Sequence, residues 1–452
     1  MWSSNGAAGW SALEVKLPLL FVPLILLTTR PISGWERIPV LGLYLTTVLV
    51  VSIISTVRFF TIPNLPYREA VPYISHIRYA LNCCMAIFIC VGLSRVRGEN
   101  KTWNTVLHVA CYCFIVWMAA ILVMIRSYTG FAILAVVSLI MLLVYWRRWL
   151  LLSLWVLLFG GTALLVYHEV RSYYSMIPMA TEPLLQKTAS GNDYKHAQDG
   201  IIENGNYINN YFCQSELRRE WNHRSSIDYD GNTASGFSVE STLVRYLNAI
   251  GQTKDSAGMA ALNDNDIKAV ERGVANPVYE SHNFLRKMVY TLLLEREYGI
   301  HTHAVSGFTM LQRFELWRAT IEVIAEHPWF GAGTGDAVDE MHKKLVANDS
   351  EISNTQMKSH NQYLLFTAMV GLVGLAIIAL LFFRALPKRL SPFMMAWVVT
   401  ILISCITEDT LETLIGILFC TWFMALRPTY RTRLLGPKQP DIEQNESTDT
   451  IF

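Results

Sequence analysis

The chain has 452 residues, 52% of them hydrophobic and only 16% charged, with a formal net charge of +1. That balance is too apolar for an ordinary soluble protein and fits a polytopic membrane protein with one sizeable aqueous segment. A net charge so close to zero gives no reason to expect a nucleic-acid partner.

In chain order, apolar runs mark about nine membrane helices, judged against the ~20 residues a helix needs to cross a bilayer. They fall near 12–29, 39–59, 77–94, 104–125, 129–146, 149–168, 363–383, 392–408 and 411–427. Glu14 and Lys16 shorten the first. The domains expected are 1–168 (six helices), 169–362 (an aqueous segment), 363–427 (three helices) and 428–452 (a polar, acidic, disordered tail). The fold class is therefore all-α: a transmembrane bundle carrying one large, mainly helical loop domain.

Orientation follows from lysine and arginine bias. One set of connections, with the tail, holds Arg30, Arg37, Arg95, Arg97, Lys101, Arg147, Arg148, Arg384, Lys388, Arg389, Arg427, Arg431, Arg433 and Lys438. The opposite short connections hold only Lys16, Arg58, Arg68, Arg78 and Arg126. Fourteen against five puts the first set in the cytoplasm and the long segment outside. The start is then outside too, yet Met1–Gly6 lacks the basic start and apolar core of a signal peptide. The expectation is that translation begins upstream and that three further helices precede this sequence.

Seven of the eight cysteines lie in apolar runs, and Cys213 stands alone in the long segment, so no disulfide framework is available there. No CxxC pair or His/Cys cluster suggests a metal. The stretch from Thr181 to Asp264 is rich in Asn, Gly, Ser and Asp and reads as loops with short helices. Residues 282–298 and 308–327 read as helices. The second carries an apolar stripe of Leu311, Phe314, Trp317, Ile321 and Ile324, with Trp317 as packing, and ends at Pro328. Gly331-Ala332-Gly333-Thr334-Gly335 then reads as a tight turn. It lacks the Lys-Ser/Thr of a phosphate loop and follows a helix instead of a strand.

His360-Asn361-Gln362 stands where the long segment re-enters the membrane, followed by Gly371 and Gly374 inside the next span. An imidazole at a bilayer boundary suits proton transfer on a lipid-carried substrate, or the bland role of an interfacial histidine. Gly371 and Gly374 read as close helix packing. Outward arginines are disfavoured by the positive-inside bias, so those present invite a reason. Guanidinium groups hold phosphate oxygens through planar, bidentate contacts. Arg78, Arg126 and Arg313 are candidates for this, whereas Arg58 and Arg68 read as snorkelling to headgroups. Arg313 and Arg318 lie about 140° apart on their helix, so both need not reach one site. Arg286 and Lys287 read as a solvated face. The span interiors carry almost no ionisable residue apart from His108, and Glu408, Asp409 and Glu412 fall at an outer turn. That argues against an ion-coupled transporter.

His360-Asn361, nine residues, Gly371, two residues, Gly374 resembles the signature of the O-antigen ligase family. Arg313-Phe314-Glu315-Leu316-Trp317 and Glu326-His327-Pro328-Trp329-Phe330-Gly331-Ala332-Gly333 are similar to the segment that precedes the histidine in that family. The architecture is similar as well. One departure is Arg126-Ser127-Tyr128-Thr129-Gly130, where the arginine is displaced from the family's Ser-Arg pattern. The resemblance implies a metal-independent, inverting glycosyl transfer at the periplasmic face of the bacterial inner membrane, without a cofactor. The donor it implies is an undecaprenyl-diphosphate-linked glycan and the acceptor is lipid A-core. Polymerases of O-antigen and enzymes that glycosylate protein share the signature, and a transporter of lipid-linked glycan or solute is the reading from another class. In the implied roles His360 is the base, while Arg313, Arg78, Arg126 and Asn361 bind substrate.

Overall fold

The computed structural model describes residues 3–28, 34–62, 65–95, 100–146, 149–174, 184–197, 200–281, 283–302, 305, 308–355, 357–387 and 390–425. Arg30, Arg97, Arg147, Arg148, Lys388, Arg389, Arg427 and the tail 428–452 lie outside them. Among the described residues, six helices are long and apolar enough to cross a membrane: Gly6–Ile25, Ile38–Thr61, His76–Leu93, Lys101–Met124, Trp149–Tyr174 and Gln362–Ala385. Three shorter apolar helices, Tyr128–Val144, Pro392–Thr407 and Leu414–Met424, occupy the remaining expected spans. The protein is an all-α polytopic membrane protein.

The chain forms two compact units. The first draws on Met1–Trp155, Leu316–Asn348 and Thr355–Phe452. Its helices are α1 (Gly6–Thr28), α2 (Gly34–Thr61), α3 (His76–Leu93), α4 (Lys101–Met124) and α5 (Tyr128–Ile140). α6 (Trp149–Tyr174) leads from it into the second unit. Helix α3 is the centre of the bundle, packed on α2, α4, α5 and α15 (Pro392–Thr407). Its buried Ala80, Cys83, Cys84 and Ala86 are small, which lets neighbouring backbones come close where no hydrophobic effect drives association. A Cβ on Gly130 of α5 would stand 2.9 Å from Leu122 and 3.3 Å from Ala80. Two polar side chains inside the bundle bond across helices: Tyr79 Oη donates to Val48 O (2.7 Å) and Trp117 Nε1 to Ser52 Oγ (2.8 Å).

The second unit is Val156–Glu315 with Asp349–Asn354. It holds α7 (Gln214–Arg224), α8 (Val239–Ala249), α9 (Ser256–Ala261), α10 (Asp264–Glu271) and α11 (Phe284–His301). A two-residue antiparallel pair, β1 (Ile202–Glu203) and β2 (Asn206–Tyr207), joins them. Short helices were expected here. The compact core they build around Trp221, Tyr229, Leu243 and Leu247 was not. Arg286 is half-buried against Glu169 (3.5 Å) and Tyr290, which corrects its reading as a solvated face.

Lys254 is buried in this unit with its Nζ 2.8 Å from Asn248 Oδ1. Burial pushes the ammonium down to about 7. The unfolded chain, with a lysine near ~10.4, then binds more protons than the folded one between these two values. Stability is therefore expected to rise with pH across pH 7–10, by up to ~1.4 kcal/mol per unit. Thermal unfolding followed against pH checks this: Lys254→Met removes the dependence, and a wild-type curve that is flat or falling over this window refutes it.

In α12 (Thr309–Glu326) the buried residues are Leu316, Ala319, Thr320 and Val323. Phe314 and Ile321 of the expected apolar stripe are exposed. The register of the buried face is set by α13 (Ala337–Ala347), whose Met341 sulfur takes a hydrogen bond from Thr320 Oγ1 (3.0 Å). Seen alone, the helix shows two apolar faces, and the sequence favours the bulkier one.

The turn after α12 is stitched into α14 (Gln362–Ala385) through main chain alone. α14 breaks at Gly371, which has φ 70° and ψ −179°. Across the break, Leu372 N donates to Pro328 O (2.8 Å) and Val373 N to Trp329 O (3.2 Å). In return Ala332 N donates to Ala368 O (2.8 Å) and Gly333 N to Met369 O (3.1 Å). A Cβ on Gly371 would lie 2.2 Å from Trp329 O, and one on Gly331 would lie 2.5 Å from Met369 C. The reading of these glycines as helix packing is corrected at Gly371: it is a helix break that admits another backbone. Gly374 follows from it, since a Cβ there would meet the Val370 side chain at 2.5 Å.

Candidate active site

His360 opens α14 from a left-handed backbone, φ 51°. Such a conformation costs a non-glycine residue ~1–2 kcal/mol and persists only where its surroundings over-determine it. Here they do. The turn between α15 and α16 (Leu414–Ala425) carries Glu408, Asp409 and Glu412, and four residues of the His360 loop are tied to it. His360 N donates to Asp409 Oδ2 (3.0 Å) and Ser359 Oγ to Asp409 Oδ1 (3.4 Å). Lys358 Nζ pairs with Glu412 Oε2 (3.0 Å), and Gln362 Nε2 donates to Glu412 Oε1 (3.3 Å) while its Oε1 accepts from Leu411 N (2.7 Å).

Asn361 is the N-cap of α14, its Oδ1 accepting from Tyr363 N (3.0 Å) and Leu364 N (3.1 Å). The structure thus gives Asn361 a definite task in fixing the start of the helix beside His360.

The His360 ring is one-third exposed, and its Nδ1 stands 3.9 Å from Glu408 Oε1. Glu408 also faces Arg78, whose Nη2 is 4.0 Å from Oε2 and 3.5 Å from Asp409 O. Two of the predicted residues, His360 and Arg78, are therefore brought to one buried carboxylate. Lys16 of α1 adds a cation, pairing with Glu412 at 2.7 Å. Burial raises the Asp409 carboxyl above the usual range. His360 opposes that rise through its charge and its backbone bond, and the charges of Glu408 and Glu412 add to it.

Arg126 is exposed, left-handed (φ 50°), and sits over the Tyr67 ring at 5.0 Å. Arg68 also lies on Tyr67, and Arg58 donates to Glu69 O (3.4 Å), so protein groups hold both arginines that read as snorkelling. Arg313 is half-buried on α12, in the second unit. Among the described residues no group of three or more His, Cys, Asp or Glu is disposed to hold a metal ion.

The acidic turn is what sequence reasoning missed. Glu408, Asp409 and Glu412 do fall at a turn between two apolar helices, yet they are used there only to argue against transport. The available signal was three carboxylates within five residues of an apolar hairpin, on the side where His360 re-enters. Charges so placed need partners. Chemically, the arrangement offers an imidazole backed by a carboxylate, a neighbouring guanidinium, and a backbone held rigid beneath them.

No curated protein matches the chain. A family model described as O-antigen ligase matches residues 281–379, the stretch that contains Arg313, the Pro328–Gly335 turn, His360 and the Gly371 break. By that match, this stretch of the chain is similar to the O-antigen ligase family.

Proposed function

We propose that the protein moves a glycan from undecaprenyl diphosphate to a hydroxyl of lipid A-core at the periplasmic face of the inner membrane. The observation that carries this reading is His360 held beside Glu408 and Arg78 at one end of the bundle. In the proposed step, an imidazole nitrogen of His360 takes the proton of an acceptor hydroxyl. The oxygen attacks the donor's anomeric carbon from the face opposite the diphosphate. The bond from that carbon to the diphosphate oxygen breaks, its electron pair leaves with the diphosphate, and the anomeric configuration inverts. Glu408 steadies the imidazolium that forms. Fixed cations facing the departing diphosphate supply the electrostatic part, often the largest. Arg126 is exposed and suited to this, and Arg78 is braced by Glu408 and Asp409. The diphosphate linkage is already activated, so no nucleotide is required. The lysine and arginine bias of the connections supports the periplasmic placement.

Deleting the gene tests the acceptor: loss of all polymer from core lipid marks a ligase, and a single repeat unit on core marks a polymerase. Unchanged lipopolysaccharide overturns both. The role the resemblance implies for Arg313 is tested separately by Arg313→Lys, which keeps the charge and loses the planar fork. Donor consumption in membranes is expected to fall by about 10-fold or more, on the order of one charge-assisted hydrogen bond. Unchanged consumption removes Arg313 from the site.

A further inference from the structure

The second unit contains a cleft of about 420 Å³ between the first half of α8 and the segments 195–197 and 201–212. That volume lies within the ~300–1,000 Å³ of small-molecule sites. None of its lining residues belongs to the His360 cluster, and all but Tyr298 precede the family-matched stretch.

The walls are fixed. Lys195 and Phe212 exchange main-chain hydrogen bonds (2.9 and 3.1 Å), which holds both in place. His196 engages both ring nitrogens, Nε2 with Leu185 O (2.9 Å) and Nδ1 accepting from Tyr211 N (3.2 Å), so it keeps none for a ligand. The charges are largely matched. Arg245 is committed to buried Glu203 through two hydrogen bonds of 2.9 and 3.0 Å. What remains at the cleft is one ammonium, Lys195, and one carboxylate, Glu240, which already takes Gln214 Nε2 (2.9 Å). A phosphate or nucleotide would meet no surplus of positive charge. A purely apolar ligand would strand Asn209, Ser241 and Glu240 without water.

The lining therefore asks for a ligand with apolar faces and an uncharged polar edge. Phe212, Tyr298 and the aliphatic floor of Ile201 and Val244 offer flat apolar surface, while Asn209 and Ser241 offer donors and acceptors. A pyranose ring has that character, with C–H faces and a rim of hydroxyls. We propose that this cleft is a binding site for an uncharged saccharide, separate from the residues proposed to carry out transfer.

The test uses the full chain in lipid nanodiscs, since sugar-headed detergents would compete. Glucose, galactose and N-acetylglucosamine are the neutral probes; glucuronate and glucose 6-phosphate are the charged ones. Binding is read by calorimetry and saturation-transfer NMR. The expected result is saturable binding of at least one neutral sugar, weakened about tenfold or more by Ser241→Trp. Ser241 is exposed on α8, so the indole fills the cleft without disturbing the core. If Ser241→Trp fails to fold, Asn209→Ala, also at an exposed position, takes its place. The proposal is overturned if no neutral sugar saturates, if a charged sugar binds more tightly, or if the folded variant binds like wild type. Donor consumption by the same preparations reports on His360 separately, so failure here leaves the transfer reading standing, and the reverse also holds.

Discussion

Replacing His360 is expected to lower glycan transfer in membranes by about 10²–10⁴-fold, the usual worth of a positioned general base. The choice of replacement matters. His360 has φ 51°, and alanine adopts that region at a cost, whereas asparagine tolerates it through its short polar side chain. His360→Asn is therefore the cleaner test. The bonds that hold the loop run from the His360 backbone N and from Lys358, Ser359 and Gln362, none of them through the imidazole. Thermal stability of the asparagine variant should stay near wild type while transfer collapses. Any further loss of stability in His360→Ala measures the backbone strain alone. Retention of full transfer by a folded His360→Asn protein removes the imidazole from the reaction.

The second large effect is expected at Gly371. A Cβ there would stand 2.2 Å from Trp329 O, in a backbone region that L-residues rarely adopt. The strained φ alone costs ~1–2 kcal/mol, and forced repacking typically adds ~1–3 kcal/mol. Gly371→Ala is thus expected to destabilise the protein by about 2–5 kcal/mol, seen as a lower midpoint of thermal unfolding in detergent and as poor yield. Gly374→Ala should cost less, because the atoms its Cβ meets belong to the Val370 side chain, whereas Gly371 faces backbone. Equal stability of Gly371→Ala and wild type would mean that the helix break does not form in the membrane.

Much of the bundle was legible because a span announces itself within its own residues. Twenty apolar positions in a row need no partner to be recognised. The positions of α3, α4 and α14 follow from composition. The start of α12 was legible for the same local reason. Its buried face was not, since Thr320 lies inside where Met341 of α13 meets it, a contact no local pattern announces. The same holds for Gly371. A hydrogen-bond exchange with residues about forty positions upstream leaves no periodicity, and glycine in a span has a commoner explanation. At the site, His360 and Arg78 were nominated from topology and residue type. The carboxylate between them comes from a hairpin near the far end of the chain, so no spacing could have linked it to either.

The stitching of Pro328–Gly333 to α14 carries a consequence for how this region responds to change. Its hydrogen bonds run peptide to peptide, so they make no demand on the side chains of Ala332 or Leu372, while buried Ala368 is limited by packing. A saturation-mutagenesis map should therefore be most intolerant at the two glycines that let the strands of chain touch, and permissive at exposed Leu372. The seam behaves mechanically like a rivet: a pull on the chain leaving α12 loads the first half of α14 directly, and with it the peptide that bears His360.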